Sequence, residues 1–134
     1  MKLMKTLMLC CVLFTFTACS DQLDETEAKA VVENLLQEID NENYESLAEF
    51  YSNSFNDGES IEKRAEKFDK LKSILGGLMA FEVIETENLA NFGEPAQVLL
   101  TYRIQRTKVS SIEKFVVIKE SGAYRVTSHG ITNE

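Results

Sequence analysis

The cations and hydroxyls that this chain offers to a ligand are concentrated on two predicted strands. Side-chain alternation places Thr101 and Arg103 on one side of the strand predicted over residues 97–106. It places Arg125, Thr127 and His129 on one side of the strand predicted over residues 123–131. Arginine presents a planar fork of donors that matches a carboxylate or a phosphate group. We expect these five residues to form a polar patch that binds an anionic group. The alternative is a solvated face with no further role, because antiparallel sheets commonly keep one face in water.

His129 is the only histidine in the sequence. A general base needs an orienting carboxylate and a nucleophile within reach, and no Ser–His–Asp or Cys–His set can be recognised. One histidine also supplies too few nitrogen and sulfur ligands for a zinc site. We therefore expect no catalytic residue, no metal and no cofactor. Tyr51 and Tyr102 are candidate pocket tyrosines, with core packing as the alternative role.

A third chemically distinctive position is Cys19, which closes a leader with the order of an export signal. Two lysines precede an apolar run over residues 7–16, and this run is too short to span a bilayer. The stretch Phe16-Thr17-Ala18-Cys19 resembles the lipobox of bacterial lipoproteins, where cleavage leaves a cysteine as the lipidated N-terminus. This resemblance implies that residues 1–18 are removed and that lipid on Cys19, palmitate among its acyl chains, anchors the protein in the membrane. The alternative is an ordinary secretory signal.

Cleavage before Cys19 would leave a strongly acidic chain. The whole sequence has 14 Lys+Arg and 22 Asp+Glu, for a net charge of −8, and the leader contains two lysines and no acid, so the mature charge is −10. Nucleic-acid binding requires a basic stripe, so we expect no nucleic-acid partner. Cys10 and Cys11 leave with the leader, so no free thiol remains for a disulfide or a thiol enzyme.

The residues directly after Cys19 are acidic and suggest a location. Ser20-Asp21-Gln22-Leu23-Asp24-Glu25 resembles the signals that send some Gram-negative lipoproteins to the cell exterior. The expected location is the cell envelope, on the outer membrane of a Gram-negative bacterium, facing either the periplasm or the exterior. Asp24 and Glu25 also have a local role available, since carboxylates stabilise the start of a helix.

The first half of the mature chain has the period of amphipathic helices. Apolar residues at positions 28, 31, 32, 35, 36 and 39 predict a first helix, with Asp24 as N-cap and Glu27 as its capping-box partner. Residues 44–51 predict a second helix and residues 52–58 a polar loop. A third helix, over about residues 60–75, is expected to bury a stripe formed by Ile61, Ala65, Phe68, Leu71 and Leu75.

After Gly76-Gly77 the period changes from 3.6 to 2 and predicts four strands, at about residues 80–89, 97–106, 112–119 and 123–131. Short connections require antiparallel neighbours. In the second strand the side expected to face the helices carries Val98, Leu100, Tyr102 and Ile104. The predicted fold class is α+β, with three N-terminal helices packed on a curved four-stranded antiparallel sheet.

This order resembles the NTF2-like (cystatin-like) superfamily over residues 25–134. The resemblance is carried by the helix break over residues 39–44, the exit Leu75-Gly76-Gly77-Leu78, and the hairpin over residues 115–126. It implies a cone in which the concave sheet face and the helices enclose a pocket. Such pockets serve catalysis, small-ligand binding or dimerisation, and a fold alone does not choose among them.

Three functional expectations follow for a chain divided into a signal peptide (residues 1–18), a lipidated tether (19–24) and a domain (25–134). The leading one is a lipid-anchored, non-enzymatic domain that binds a small ligand or an envelope protein. The second is a dehydratase- or isomerase-type enzyme that uses a tyrosine and His129, or a buried glutamate, as acid and base; it requires a closed, polar-bottomed cavity with a perturbed carboxylate. The third is a structural module that forms a homodimer or an envelope complex through the exposed sheet face.

Overall fold

The computed structural model of the protein describes residues 22–90 and 93–134. The leader and Cys19 lie outside the described residues. Helix α1 (Glu25–Asp40) begins where the sequence predicts, because the Asp24 Oδ1 accepts hydrogen bonds from the N–H groups of Thr26 and Glu27 at 2.8 and 3.2 Å. The expected capping box is wrong, however. The Asp24 N–H donates to the hydroxyl of Tyr124 at 2.9 Å, which ties the start of α1 to the last strand.

The region after α1 is more helical than the sequence indicated. Residues Tyr44–Glu49 form a 3₁₀ helix, and a short helix α2 (Asn53–Asp57) occupies the segment predicted as a loop. Helix α2 begins there because the Ser52 Oγ accepts a hydrogen bond from the Phe55 N–H at 3.3 Å, which satisfies one of the free donors at its start.

Helix α3 (Ile61–Leu75) matches its predicted bounds, and Phe68 and Leu75 of the predicted stripe are buried, but its first turn differs. The expectation that Ile61 is buried is wrong: this residue is 46% exposed, whereas Arg64 is 1% exposed. Arg64 enters the interior because Glu59 Oε1 and Asn56 Oδ1 accept its hydrogen bonds at 3.1 and 2.9 Å. The predicted end of the helix is confirmed, since Gly76 has a φ of 88°, a conformation open to glycine.

The second half of the chain is an antiparallel meander in the order β1-β2-β3-β4, as the sequence predicts. The strands are β1 (Leu78–Leu89), β2 (Gln97–Arg106), β3 (Ser110–Glu120) and β4 (Ala123–Asn133). The apolar side of β2 faces the helices as expected, and its four residues are each at most 1% exposed. The fold class is therefore α+β, with helices packed on one face of a four-stranded sheet. Within the described residues, no helix has both the length and the apolarity needed to cross a membrane.

Candidate functional site

A buried, hydrogen-bonded histidine–carboxylate pair lies on the helix-facing side of the sheet, between β3 and β4. The Nε2 of His129 is 2.9 Å from the Oε1 of Glu113, and the two side chains are 4% and 1% exposed. The strand register places them near each other, because Phe115 pairs with His129 and Glu113 pairs with the neighbouring Ile131. The Glu113 carboxylate thus orients the His129 imidazole. The sequence alone had indicated no partner for this histidine.

A β-bulge in β4 turns His129 inward. Val117 pairs with Val126 and Val116 pairs with Ser128, so Thr127 is an extra residue without a partner across the ladder. One inserted residue reverses the alternation beyond it. Val126 and His129 therefore both face the helices, although strict alternation would place them on opposite sides.

Glu113 has two further polar partners. The Arg106 Nη1 donates to its Oε2 at 2.7 Å, and the Ser111 hydroxyl donates to the same oxygen at 3.2 Å. Burial alone raises the pKa of Glu113, but hydrogen bonds and charge from His129 and Arg106 outweigh burial, and the net direction is below the ordinary value. Glu113 is therefore an ionised acceptor, and the Nε2 of His129 carries the hydrogen of the bond between them.

Tyr51 completes the arrangement on the other side of His129. Its hydroxyl lies 3.3 Å from the Nδ1 of His129. The segment carrying it docks along β4, where the Ser52 N–H donates to the Val126 carbonyl at 2.9 Å and the Val126 N–H donates to the Phe50 carbonyl at 2.7 Å. Burial, the largest influence, raises the pKa of Tyr51 well above its usual range, although the charge of Arg64 opposes it. Tyr51 is thus a neutral donor to the Nδ1.

Two aromatic rings pack near the His129 imidazole. The Phe115 ring stacks on it with centroids 4.2 Å apart, and the Phe68 ring of α3 lies at 6.2 Å. Beside Tyr51, the Arg64 guanidinium lies 4.6 Å from the ring centroid and Phe55 stacks at 4.2 Å. The Arg64 Nη2 has no hydrogen-bond partner within the described residues. The guanidinium is held against the Tyr51 ring because an aromatic face attracts a cation.

Two spaces adjoin this cluster. A cavity of about 30 Å³ is bordered on its polar side by His129, Glu113 and Arg106 and otherwise mainly by apolar side chains. This is room for one or two water molecules. An open cleft of about 340 Å³ runs between α3 and the end of β4. It shares Phe68, Leu71, His129 and Ile131 with the small cavity. Its apolar wall is formed by Phe55, Phe68, Leu71, Ile74 and Ile131, and His129 lies at its inner end.

The structure does not bring the five residues of the predicted polar patch together. Thr101 and Arg103 lie on the outer face of the sheet, where Arg103 forms ion pairs with Glu82 and Glu134, each at 2.7 Å. Arg125 pairs with Ile118 and also faces outward.

The other two members of that patch lie elsewhere, because of the bulge. Thr127 accepts a hydrogen bond from the Ser52 hydroxyl at 3.0 Å, and His129 is inside. The patch assumed unbroken alternation along β4, and Thr127 interrupts it.

The two candidate pocket tyrosines occupy different positions. Tyr51 is 1% exposed and contacts His129, whereas Tyr102 is fully buried and its hydroxyl donates to Glu33 at 3.5 Å. Burial raises the pKa of Tyr102 above its usual range. Neither tyrosine is among the residues that border the small cavity or the cleft.

Sequence reasoning missed Glu113, Arg106 and Arg64 as members of the site. A signal existed for Glu113, since alternation places it on the same face of β3 as Phe115 and Val117, which are apolar. A carboxylate on the apolar side of a strand requires a buried partner. Within residues 22–90 and 93–134, no group of three or more potential metal ligands is assembled.

Comparison with solved structures identifies the fold. Aln2 from a Streptomyces species is similar over 81% of this chain and 89% of its own length, with 10% sequence identity and a TM-score of 0.56. The β subunit of benzoate 1,2-dioxygenase from Burkholderia mallei is similar over 85% of this chain and 93% of its own, with 10% identity and a TM-score of 0.52. These neighbours are NTF2-like α+β domains, so the predicted fold is confirmed.

A third similar structure is longer than this chain. Bd1075 from Bdellovibrio bacteriovorus is similar over 81% of this chain, with 15% identity and a TM-score of 0.53, but the match spans only 40% of Bd1075. No protein-family model and no curated protein matches the sequence. At these identities the likeness shows the fold alone.

Proposed function

From this NTF2-like fold, we propose that the protein is a lipid-anchored envelope protein whose domain binds a small, largely apolar ligand without transforming it. The observation that carries the proposal is the open cleft between α3 and β4, about 340 Å³ in volume and walled mainly by apolar side chains. This volume falls within the roughly 300–1,000 Å³ of small-molecule sites, which are mostly apolar with few polar groups.

An exposed wall residue supports a binding role for the cleft. Ile74 is 57% exposed on α3 and lines the cleft together with the half-buried Leu71. Covering an isoleucine side chain contributes about 1.5–3 kcal/mol relative to leaving it in water. A ligand seated in the cleft would cover this surface.

The hydrogen bonding of His129 favours binding over catalysis. Its Nε2 is held by Glu113 and its Nδ1 by Tyr51, so neither nitrogen is free to exchange a proton with a molecule in the cleft. The space beside the Glu113 carboxylate is about 30 Å³, too small for an organic substrate. His129 therefore lines the cleft without a free donor or acceptor for a ligand.

The leader that ends at Cys19 supports the membrane anchor in this proposal. Helix α1 begins at Glu25, six positions after the lipid-bearing residue. A chain of six residues reaches about 20 Å when fully extended. A lipid on Cys19 would therefore hold the domain, and its cleft, close to the bilayer surface.

A fluorescent apolar probe tests the binding site. A chain that begins at Ser20 keeps every described helix and strand and all core residues, which run from Leu23 to Val126. We expect it to bind the neutral probe N-phenylnaphthylamine, and the substitution I74D to weaken binding about tenfold, because lost apolar contact is worth about 1.5 kcal/mol.

The matched control is I61D, since Ile61 is 46% exposed on the same helix but lines a different surface. This variant should bind the probe as the unaltered chain does. Equal affinity in I74D and the unaltered chain, or a loss confined to I61D, would contradict the proposed site.

A second candidate function is acid–base catalysis of the dehydratase or isomerase type. The observation that favours it is the hydrogen-bonded series Tyr51–His129–Glu113, which borders the small cavity and includes a carboxylate of lowered pKa. Deuterium exchange into cyclohexanone, followed by NMR, tests it. The enzyme alternative requires faster exchange with the protein than with its E113Q variant. Equal rates would contradict it and leave the binding proposal standing.

A further inference from the structure

The charged groups of the cleft have one sign. Lys67 and Lys70 are among the described residues that line it, and no acidic residue is among them, although the chain has 22 acids and 14 bases. The Lys67 Nζ is held by Glu59 at 2.7 Å. Lys70 makes no hydrogen bond or ion pair with any residue in the part of the chain that the structure describes. Lys70 is therefore the available cation at the rim of an otherwise apolar cleft.

Helix α3 presents this cation and the apolar wall on one side. Lys67, Lys70 and Ile74 are spaced i, i+3 and i+7, and Leu71 lies between them, so these side chains share one helical face. Positive charge and apolar surface thus lie within one turn of each other along the cleft.

The inner end of the cleft has the opposite character. The nitrogens of His129 are held by Tyr51 and Glu113, and its ring stacks on Phe115. The Glu113 carboxylate behind it already holds Arg106 at 2.7 Å, so this end offers an anion no free donor. An anionic group in the cleft is therefore stabilised at the rim, beside Lys70, and disfavoured at the inner end.

We infer that the cleft binds an amphipathic acid, with its carboxylate at Lys70 and its apolar body against Phe68, Leu71 and Ile74. This inference rests on the proposed binding function and specifies the ligand class. The acid is a free molecule with one anionic group at one end of an unbranched or compact hydrocarbon body. A membrane lipid with an anionic headgroup has the same chemistry and is separated from the free acid by the experiment below.

The test compares decanoate with decanol, which share a hydrocarbon chain and differ in charge. Isothermal calorimetry on the chain that begins at Ser20 should show tighter binding of decanoate. The substitution K70Q should lower the affinity for decanoate about three- to fivefold, the range expected for a partly exposed ion pair, and leave the affinity for decanol unchanged. K63Q is the matched control, because Lys63 is exposed on the same helix and does not line the cleft. Added salt should lower the affinity for decanoate and leave the affinity for decanol unchanged.

Failure of the inference is distinguishable from failure of the proposed function. If decanol and decanoate bind equally and K70Q changes neither, the cleft binds apolar molecules and the acid specificity is wrong. If neither ligand binds and N-phenylnaphthylamine does not bind, the proposed function fails as well. If the protein floats with phosphatidylglycerol vesicles in a Lys70-dependent manner but does not bind dispersed decanoate, the free-acid inference is overturned in favour of a bilayer lipid.

Discussion

The Nε2 of His129 lies 2.9 Å from the Oε1 of Glu113, and the two side chains are only 4% and 1% exposed. The two residues belong to adjacent strands, and Arg106 holds the second carboxylate oxygen at 2.7 Å. A buried charge is tolerated only while its partners are present. Stability and protonation of the domain interior therefore both depend on this carboxylate.

Removal of the Glu113 carboxylate should destabilise the domain strongly. We expect E113A to lower the free energy of unfolding by about 3 kcal/mol, because the Arg106 side chain, only 12% exposed, would lose its counter-ion. Urea unfolding at neutral pH measures the change. The control is E82A, which breaks an ion pair with Arg103 whose side chains are 39% and 63% exposed, and it should change stability by less than about 1 kcal/mol. Equal losses in the two variants would contradict the importance of burial.

The dependence of stability on pH should carry the signature of Glu113. Its pKa is lower in the folded than in the unfolded chain, so its ionised form favours folding. This contribution is complete above the ordinary carboxyl pKa of 4.5 and is lost as the pH falls through the lowered folded-state value. The stability difference between wild type and E113Q should therefore shrink as the pH falls from about 5 to below about 4. Unfolding curves across that range provide the measurement, and a constant difference would contradict the direction of the shift.

The tautomer of His129 is open to direct observation, since the sequence contains a single histidine. An ionised Glu113 can only accept, and Tyr51 can donate to the other nitrogen, so the neutral ring should carry its hydrogen on Nε2. Long-range nitrogen–proton NMR spectra at about pH 8 should show this form. In Y51F the tautomer should persist, with a stability loss of about 1 kcal/mol for one hydrogen bond. A neutral ring with its hydrogen on Nδ1 would contradict the assigned directions of the hydrogen bonds to Tyr51 and Glu113.

Gly76 should tolerate no side chain. A Cβ at this position would lie 2.0 Å from the Thr107 Oγ1 and 2.8 Å from the Lys108 nitrogen, and its φ of 88° disfavours other residues. We expect G76A to lower the free energy of unfolding by about 3 kcal/mol. Gly130 is the control, because a Cβ there meets nothing within 4 Å, and G130A should be close to neutral. Thermal unfolding of both variants checks the contrast.

Membrane attachment should depend on one cysteine. We expect C19A to leave the membrane fraction or to accumulate with an uncleaved leader, because lipidation requires the cysteine thiol, whereas C11A should behave as wild type. Cell fractionation with metabolic labelling by a fatty acid measures both outcomes. Membrane-bound, labelled C19A protein would contradict the lipoprotein prediction.

The periodicity of the sequence was sufficient to predict much of the fold. The apolar stripes of α1 and α3 and the alternation in β2 reflect local geometry that every helix and strand obeys, so their positions were predicted closely. Where burial depends on a distant partner, the prediction failed. Arg64 is inside because Asn56 and Glu59 receive its hydrogen bonds, and Ile61 is outside although its hydrophobicity favours burial.

The amino-acid sequence by itself thus determined the α+β class, the four-stranded meander and the side chains available for a site. Only the tertiary structure decided which of them meet. Thr127 adds one residue to β4 opposite an unbroken β3, and this bulge reverses every later side chain, so that His129 turns from the expected outer patch to Glu113. The pairing of two strands fixes that register, and no property of either strand alone reveals it.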